Sequence, residues 1–141
     1  MDITTAAIAT IISSSVATIV ALRINKTNAI KSLNDQLDGI IKIAIQYPYL
    51  ENTVFANTWI ENRDSQDDRY LRYDNYCNLV FNYLSRLCEH YKFNRQKIEN
   101  HLNVRDWIRV HQQCWRNPST PFENADGYSR EFKDLIDTYL N

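Results

Sequence analysis

The hydrophobic residues of this 141-residue chain recur with helical spacing along most of its length. The pattern is clearest over residues 70–91, where apolar side chains return every three or four positions and form a wide stripe: Tyr73, Tyr76, Cys77, Val80, Leu84, Leu87, Cys88 and Tyr91. The chain has only two glycines, and no hairpin dipeptide stands between strand-like runs. The pattern therefore predicts an all-α fold without a sheet.

Further helices are predicted on both sides of this stretch. They cover residues 27–47, 50–60, 95–101, 103–116 and 128–140, and the last of them is expected to bury Phe132, Leu135, Ile136 and Tyr139. Pro48 should end the first, because proline lacks the amide hydrogen that a continuing helix needs. Asn103 is a suitable N-cap for the fourth. The polar segments 62–68 and 117–121 are predicted loops.

The first predicted element is a membrane segment. Ile3 to Leu22 is twenty residues without a charge, which at about 1.5 Å per residue matches the roughly 30 Å core of a bilayer. A signal peptide is the main alternative, but it needs a positive region before the apolar run, and only Asp2 is charged there. We therefore expect a single transmembrane helix.

The charges that follow the apolar run set its orientation. Arg23, Lys26 and Lys31 come soon after it, and basic flanks favour the cytoplasmic side of a membrane. The N-terminus is therefore expected outside, with the rest of the chain in the cytoplasm; in a bacterium this is the inner membrane. The predicted organisation is a membrane segment with its flank at 1–26 and a cytoplasmic helical domain at 27–141.

Small residues recur at every fourth position of the membrane segment: Ala9, Ser13, Ala17 and Ala21. This small-xxx-small spacing is typical of helices that pack closely in lipid. Larger side chains occupy the opposite half of the helix: Ile8, Ile11, Ile12, Val16, Ile19 and Leu22. A single anchor has no partner for a small-residue stripe within its own chain, so we expect a homo-oligomer. The alternative is an ordinary anchor with chance patterning.

Composition excludes several classes of function. A formal net charge of −1 gives no overall attraction to nucleic acid. The three cysteines show no zinc-ligand spacing, and Cys77 and Cys88 would lie roughly 16 Å apart on one helix, beyond disulfide reach. We therefore expect reduced, mostly buried thiols in a reducing compartment, and no metal, cofactor or small-molecule substrate.

One short stretch carries a candidate chemistry. RDWIRVH, Arg105 to His111, has an arginine and a histidine at the spacing of the HEPN ribonuclease signature, in which histidine moves a proton and arginine neutralises the phosphate. Arg95 to His101 fits the same loose spacing, so the motif alone is weak. His111 also continues an apolar stripe with Val104, Trp107, Ile108 and Trp115. Burial in the packed face is therefore the preferred interpretation of His111.

The segment 86–116 combines seven lysines and arginines with Tyr91, Phe93, Trp107 and Trp115. Cations among aromatic side chains are typical of proteins that bind single-stranded RNA. A solvated basic surface beside an aromatic core has the same composition, and we prefer that interpretation.

The N-out membrane segment, the all-α domain and RDWIRVH together resemble the small HEPN-like membrane accessory proteins of type VI-B CRISPR systems. The resemblance implies a ring-shaped homo-oligomer that forms a membrane pore and strengthens anti-phage defence beside an RNA-guided, RNA-targeting effector. It further implies that Arg105 and His111 are the HEPN pair, and that the small residues at 9, 13, 17 and 21 line or pack the channel. Asp106, acidic where catalytic members often have a polar residue, departs from an active site.

Two classes of function follow. The first is an oligomeric pore or channel-like effector that enhances RNA-targeting CRISPR defence, with the bilayer and further copies of the chain as partners. The second is a membrane-anchored HEPN domain that binds RNA or cuts it without a metal. A plain anchored scaffold is the remaining alternative. We expect the first, and no catalysis.

Overall fold

The computed structural model describes residues 3–63, 66–117 and 127–141, with residues 3–17 described as helical backbone only. All regular elements in these ranges are helical, which confirms the all-α prediction. They are α1 (Ile3–Gln46), a 3-10 helix (Pro48–Glu51), α2 (Thr53–Asn62), α3 (Asp68–His90), α4 (Arg95–His101), α5 (Val104–Val110), α6 (Gln112–Arg116) and α7 (Arg130–Leu140). The chain divides into two compact units, Met1–Asp35 and Gln36–Asn141.

The first unit is helical from Ile3 onward. In its described part Ala21 is exposed, and four larger apolar side chains expose between 48% and 63% of their surface: Ile19, Val20, Leu22 and Ile24. Within the part of the chain whose side chains are described, no helix is long and apolar enough to cross a membrane. Most of the predicted membrane segment, including Ala9, Ser13 and Ala17, lies outside that part.

The second unit is organised around α3, whose bounds differ from the predicted 70–91 by one or two residues. Asp67 caps its N-terminus by accepting a hydrogen bond from the Arg69 amide. Nearly half of the buried hydrophobic residues described lie on its inward face: Tyr73, Tyr76, Cys77, Val80, Phe81, Tyr83, Leu84, Leu87 and Cys88. Such a wide apolar stripe can be buried only if helices cover it on several sides, and the remaining elements do so.

The flanking helices begin with side-chain caps. Asn52 accepts from the amides of Val54 and Phe55 at the start of α2, and Ser129 accepts from Phe132 at the start of α7. Pro48 opens the 3-10 helix directly after α1 ends, as its missing amide hydrogen predicts. Helix α7 buries Phe132, Ile136 and Tyr139, whereas Leu135 is only half-buried. The predicted loop 117–121 lies almost wholly outside the described residues.

The helix predicted from Asn103 to residue 116 is interrupted, so that prediction was wrong in two respects. His111 leaves helical geometry (φ −100°, ψ 15°) and separates α5 from α6. Long 3.3 Å hydrogen bonds from the His111 amide to Trp107 and from the Trp115 amide to His111 bridge the break, so the apolar stripe continues across it. Asn103 precedes α5, but its side-chain oxygen accepts no hydrogen bond from the first turn; the side-chain amide instead donates to Asp106 at 2.7 Å.

Candidate functional site around His111

The two residues of the motif occupy different environments. His111 is completely buried, in agreement with the stripe, whereas Arg105 is exposed near the start of α5. Six positions of regular helix correspond to about 9 Å along the axis and about 120° around it, and the hydrogen bonds across the break at His111 preserve that spacing. Within one chain the structure therefore does not bring the motif histidine and arginine onto a common face.

Both ring nitrogens of His111 have partners inside the domain. Nδ1 lies 3.0 Å from the Tyr73 hydroxyl and 3.8 Å from the Cys77 sulfur, and Nε2 lies 3.4 Å from Glu51 Oε1. An ionised carboxylate can only accept hydrogen bonds, so Nε2 must carry a hydrogen. In the neutral ring Nδ1 is then an acceptor, and the Tyr73 hydroxyl donates to it.

Glu51, at the end of the 3-10 helix, is the centre of the cluster. Its Oε1 also accepts a short hydrogen bond from the Tyr76 hydroxyl and one of 2.8 Å from the Trp107 indole nitrogen. Burial alone raises the pKa of this carboxyl, but hydrogen bonds from His111, Tyr76 and Trp107 outweigh burial. The pKa therefore lies below its ordinary value, and Glu51 is a fixed anion that shares one oxygen among three donors.

The two tyrosines and the cysteine of the cluster are held neutral. Burial raises the pKa of the Tyr73 and Tyr76 hydroxyls far above the ordinary range for tyrosine. Burial and then the neighbouring Cys114 thiol raise the pKa of Cys77 well above its ordinary value. A neutral thiol is a poor nucleophile. At rest the two tyrosines and Cys77 therefore donate and accept hydrogen bonds, and none of the three is an ionised nucleophile.

An apolar cavity of about 550 Å³ is lined by Glu51 but not by His111. Its walls are Leu37, Ile41, Ala44, Ile45, Pro48, Glu51, Tyr76, Leu102 and Trp107, and His111 does not reach it. Ile41 and Ile45 are 44% and 72% exposed at its rim. The cavity offers almost no polar surface, so it could hold an apolar group and provides no acid–base pair to a substrate.

The cations of the basic segment are exposed, whereas both of its tryptophans are engaged inside the domain. All seven cations are exposed: Arg86, Lys92, Arg95, Lys97, Arg105, Arg109 and Arg116. Trp115, however, packs against Phe81 and Phe132 at ring-centroid distances of 4.9 and 5.7 Å, and the Trp107 N–H is bonded to Glu51. The segment therefore offers positive charge, but its two tryptophans are not available as platforms on which bases could stack.

Arg95 and His101, the second pair with the arginine–histidine spacing, also have partners within the domain. Arg95 pairs with Glu99 at 2.8 Å and lies over the Tyr139 ring at 4.7 Å. His101 Nδ1 lies 3.2 Å from the Tyr91 hydroxyl. In the described part of the chain, no group of three histidine, cysteine or acidic side chains could hold a metal ion.

The sequence alone did not identify Glu51, Tyr73 and Tyr76 as partners of His111. Periodicity assigns a residue to a face but does not say which distant residue meets it. One signal was present: a histidine on an apolar stripe needs a polar partner. Glu51 is an acid directly after the apolar run Tyr47–Leu50, in a segment that had to pack against the core.

Comparison of the chain with protein-family models, with curated proteins and with solved structures gives no match.

Proposed function

We propose that this protein is an oligomeric membrane protein whose cytoplasmic, HEPN-like helical domain serves assembly and does not cut RNA. On this proposal the assembled membrane segments form a pore that supports RNA-targeting CRISPR defence. The observation that carries the non-catalytic part is the enclosure of His111, whose ring is fully buried with partners at both nitrogens.

A catalytic histidine must come within hydrogen-bond distance of the proton that it moves. For His111 to reach a ribose hydroxyl, the domain would have to break its bonds to Glu51 and Tyr73 and expose the core beside α3. Arg105 would have to approach from another face of α5, with the acidic Asp106 next to it. A structural histidine needs none of these changes.

The proposal that the N-terminal segment spans a membrane is supported by the sequence and by exposed apolar side chains. Ile3 to Leu22 carries no charge, and the apolar side chains exposed at and just beyond its described end favour lipid or protein over water: Ile19, Val20, Leu22 and Ile24. The small-residue stripe supports helix packing between copies, and the positive flank supports the N-out orientation.

The first test measures assembly. Full-length protein in mild detergent should give one discrete homo-oligomer by light scattering with the detergent mass subtracted, and deletion of residues 1–26 should abolish it. Ser13→Leu and Ala17→Leu should weaken the oligomer, whereas Ile12→Leu and Val16→Leu, on the opposite half of the helix, should not. A monomeric wild type, or equal effects on both halves, would contradict the proposal.

The second test measures function. Vesicles that contain the wild-type protein should leak a small dye, and vesicles with the oligomer-deficient variants should not. In cells that carry a type VI-B effector and a guide, the wild type should lower phage plating more than those variants do. Purified protein should leave single-stranded RNA intact; metal-independent cleavage abolished by Arg105→Ala or His111→Ala would favour the ribonuclease alternative.

A second candidate, an anchored RNA-binding module, is supported by the seven exposed cations of residues 86–116. Binding through phosphates alone would be independent of sequence and would weaken steeply with salt. Charge reversal at Arg105 and Arg109 together should abolish such binding, whereas reversal at Arg130, an exposed arginine on α7, should not. The pore proposal requires no RNA binding.

A further inference from the structure

Two of the three cysteines lie together beside His111. Cys77, on α3, is buried with its sulfur 3.8 Å from His111 Nδ1. Cys114, on α6, is half-buried, and its thiol donates to Asp74 Oδ1 at 3.8 Å. Asp74 lies on α3, one turn before Cys77, so these two contacts bring both thiols to the same stretch of that helix. Burial raises the pKa of Cys77, and the nearby Cys114 raises it further.

We propose that Cys77 and Cys114 are a redox modification site that forms a reversible disulfide within one chain when hydrogen peroxide is present. Cys88 cannot take the place of Cys114, since it lies three turns further along α3, roughly 16 Å from Cys77. The proposed bond would join α3 to α6 next to the Glu51–His111 cluster.

Cys114 is the thiol that peroxide reaches first, because Cys77 is fully enclosed. The Cys114 sulfur attacks one peroxide oxygen, the S–O bond forms, and the O–O bond breaks. The departing hydroxide takes the thiol proton and leaves as water. Cys114 is now a sulfenic acid, oxidised by two electrons while the peroxide is reduced.

Cys77 then resolves the sulfenic acid. Its proton passes to His111 Nδ1, the nearest base, which can accept it because Glu51 holds the hydrogen on Nε2. The Tyr73 hydroxyl, which donates to Nδ1 at rest, turns its hydrogen bond to the Cys77 sulfur as the thiolate forms. The Cys77 thiolate attacks the Cys114 sulfur, the S–S bond forms and the S–O bond breaks. The leaving hydroxide takes the proton back from His111. The balance is two thiols and one hydrogen peroxide giving one disulfide and two waters.

The three cysteines fall in different tryptic peptides, so the product can be assigned directly. Cys77 lies in 73–86, Cys88 in 87–92 and Cys114 in 110–116. Full-length protein in detergent is treated with hydrogen peroxide, blocked with an alkylating agent, digested and analysed by mass spectrometry. We expect peptides 73–86 and 110–116 joined with the loss of two hydrogen atoms, from protein that still migrates as a monomer on a non-reducing gel.

Serine variants provide the controls. Cys88→Ser, which leaves the proposed pair intact, should retain the crosslink, whereas Cys114→Ser and Cys77→Ser should abolish it. In Cys77→Ser, Cys114 should instead accumulate as sulfinic acid, because it has lost its resolving thiol. Oxidation should also raise the melting temperature of the wild type but not of Cys114→Ser, a half-buried position where the substitution is mild.

Any of three results would overturn the proposal. Cys114 of the wild type could be recovered unmodified at peroxide concentrations that oxidise free cysteine. It could be recovered as sulfinic acid without a crosslink. It could also be joined to Cys88 or to another chain, with no link between 73–86 and 110–116.

Discussion

Replacing Glu51 with alanine should be among the most destabilising single changes in the helical domain. The carboxylate oxygen Oε1 is the shared acceptor for three donors: Tyr76 Oη, Trp107 Nε1 and His111 Nε2. A buried donor left without a partner costs about 1–3 kcal/mol. The total cost is smaller than three times this value, because Glu51 borders a cavity of about 550 Å³. Water that enters this cavity can accept hydrogen bonds from some of the donors. We expect a loss of about 2–3 kcal/mol.

A loss of this size should lower the melting temperature of a domain of this length by roughly 10 °C or more. Intrinsic tryptophan fluorescence is a suitable signal, because Trp107 reports on the cluster directly. The control is Glu61→Ala, which removes the same charge at an exposed position of α2 and should change stability by less than about 0.5 kcal/mol. A melting temperature for Glu51→Ala within about 3 °C of that control would refute the reasoning.

The charge of Glu51 also gives its contribution a defined pH dependence. Its folded pKa lies below the ordinary value of 4.5, so the stabilisation is fully present above pH 4.5 and is lost as the pH falls through the folded pKa. Glu51→Gln keeps an acceptor oxygen but not the charge, and should cost about 1 kcal/mol at pH 7. The difference in unfolding free energy between the wild type and Glu51→Gln should therefore shrink in acid. A difference that is constant from pH 7 to pH 3 would show that the charge is irrelevant.

Three further outcomes are expected. His111→Ala should lower the unfolding free energy by about 1–3 kcal/mol, because it leaves a gap and unpaired neighbours, whereas Arg105→Ala should change it by less than about 0.5 kcal/mol; denaturant titration compares the two. Arg105→Ala should still weaken the oligomer, measured by light scattering, if its partner is an acid of an adjacent chain. Asn52→Ala should cost about 1 kcal/mol through loss of the α2 cap, while Asn75→Ala, exposed in mid-α3, should not; thermal melts distinguish them.

The sequence predicted those elements whose signal is local. Helix α3 was clear because its apolar stripe continues for about five turns, from Tyr73 to Tyr91. The end of α1 was clear because Pro48 cannot donate a helical hydrogen bond. The burial of His111 followed from the same periodicity. These features depend on residues within a few turns of one another, where spacing and backbone chemistry are sufficient.

The partners of His111 could not be predicted in the same way. Glu51 is hydrogen-bonded to Tyr76, Trp107 and His111, which are 25, 56 and 60 residues away along the sequence. Periodicity within one helix does not specify such distant contacts. The break at His111 was hidden as well, because the 3.3 Å hydrogen bonds that bridge it preserve the side-chain spacing of an unbroken helix. Asn103 had the chemistry of a cap, but Asp106 competes for its side chain.

The sharing of a single carboxylate oxygen has a consequence for how this protein can diverge. If Glu51 is replaced by an apolar residue, its three donors lose their acceptor together, so apolar replacements at 76, 107 and 111 are favoured at the same time. The four positions should therefore change as a set in related chains, either all polar or all apolar, while Arg105 varies independently. A search for distant relatives would gain more from requiring this glutamate with its tyrosine, tryptophan and histidine than from the arginine–histidine spacing, which two segments of this one chain already satisfy.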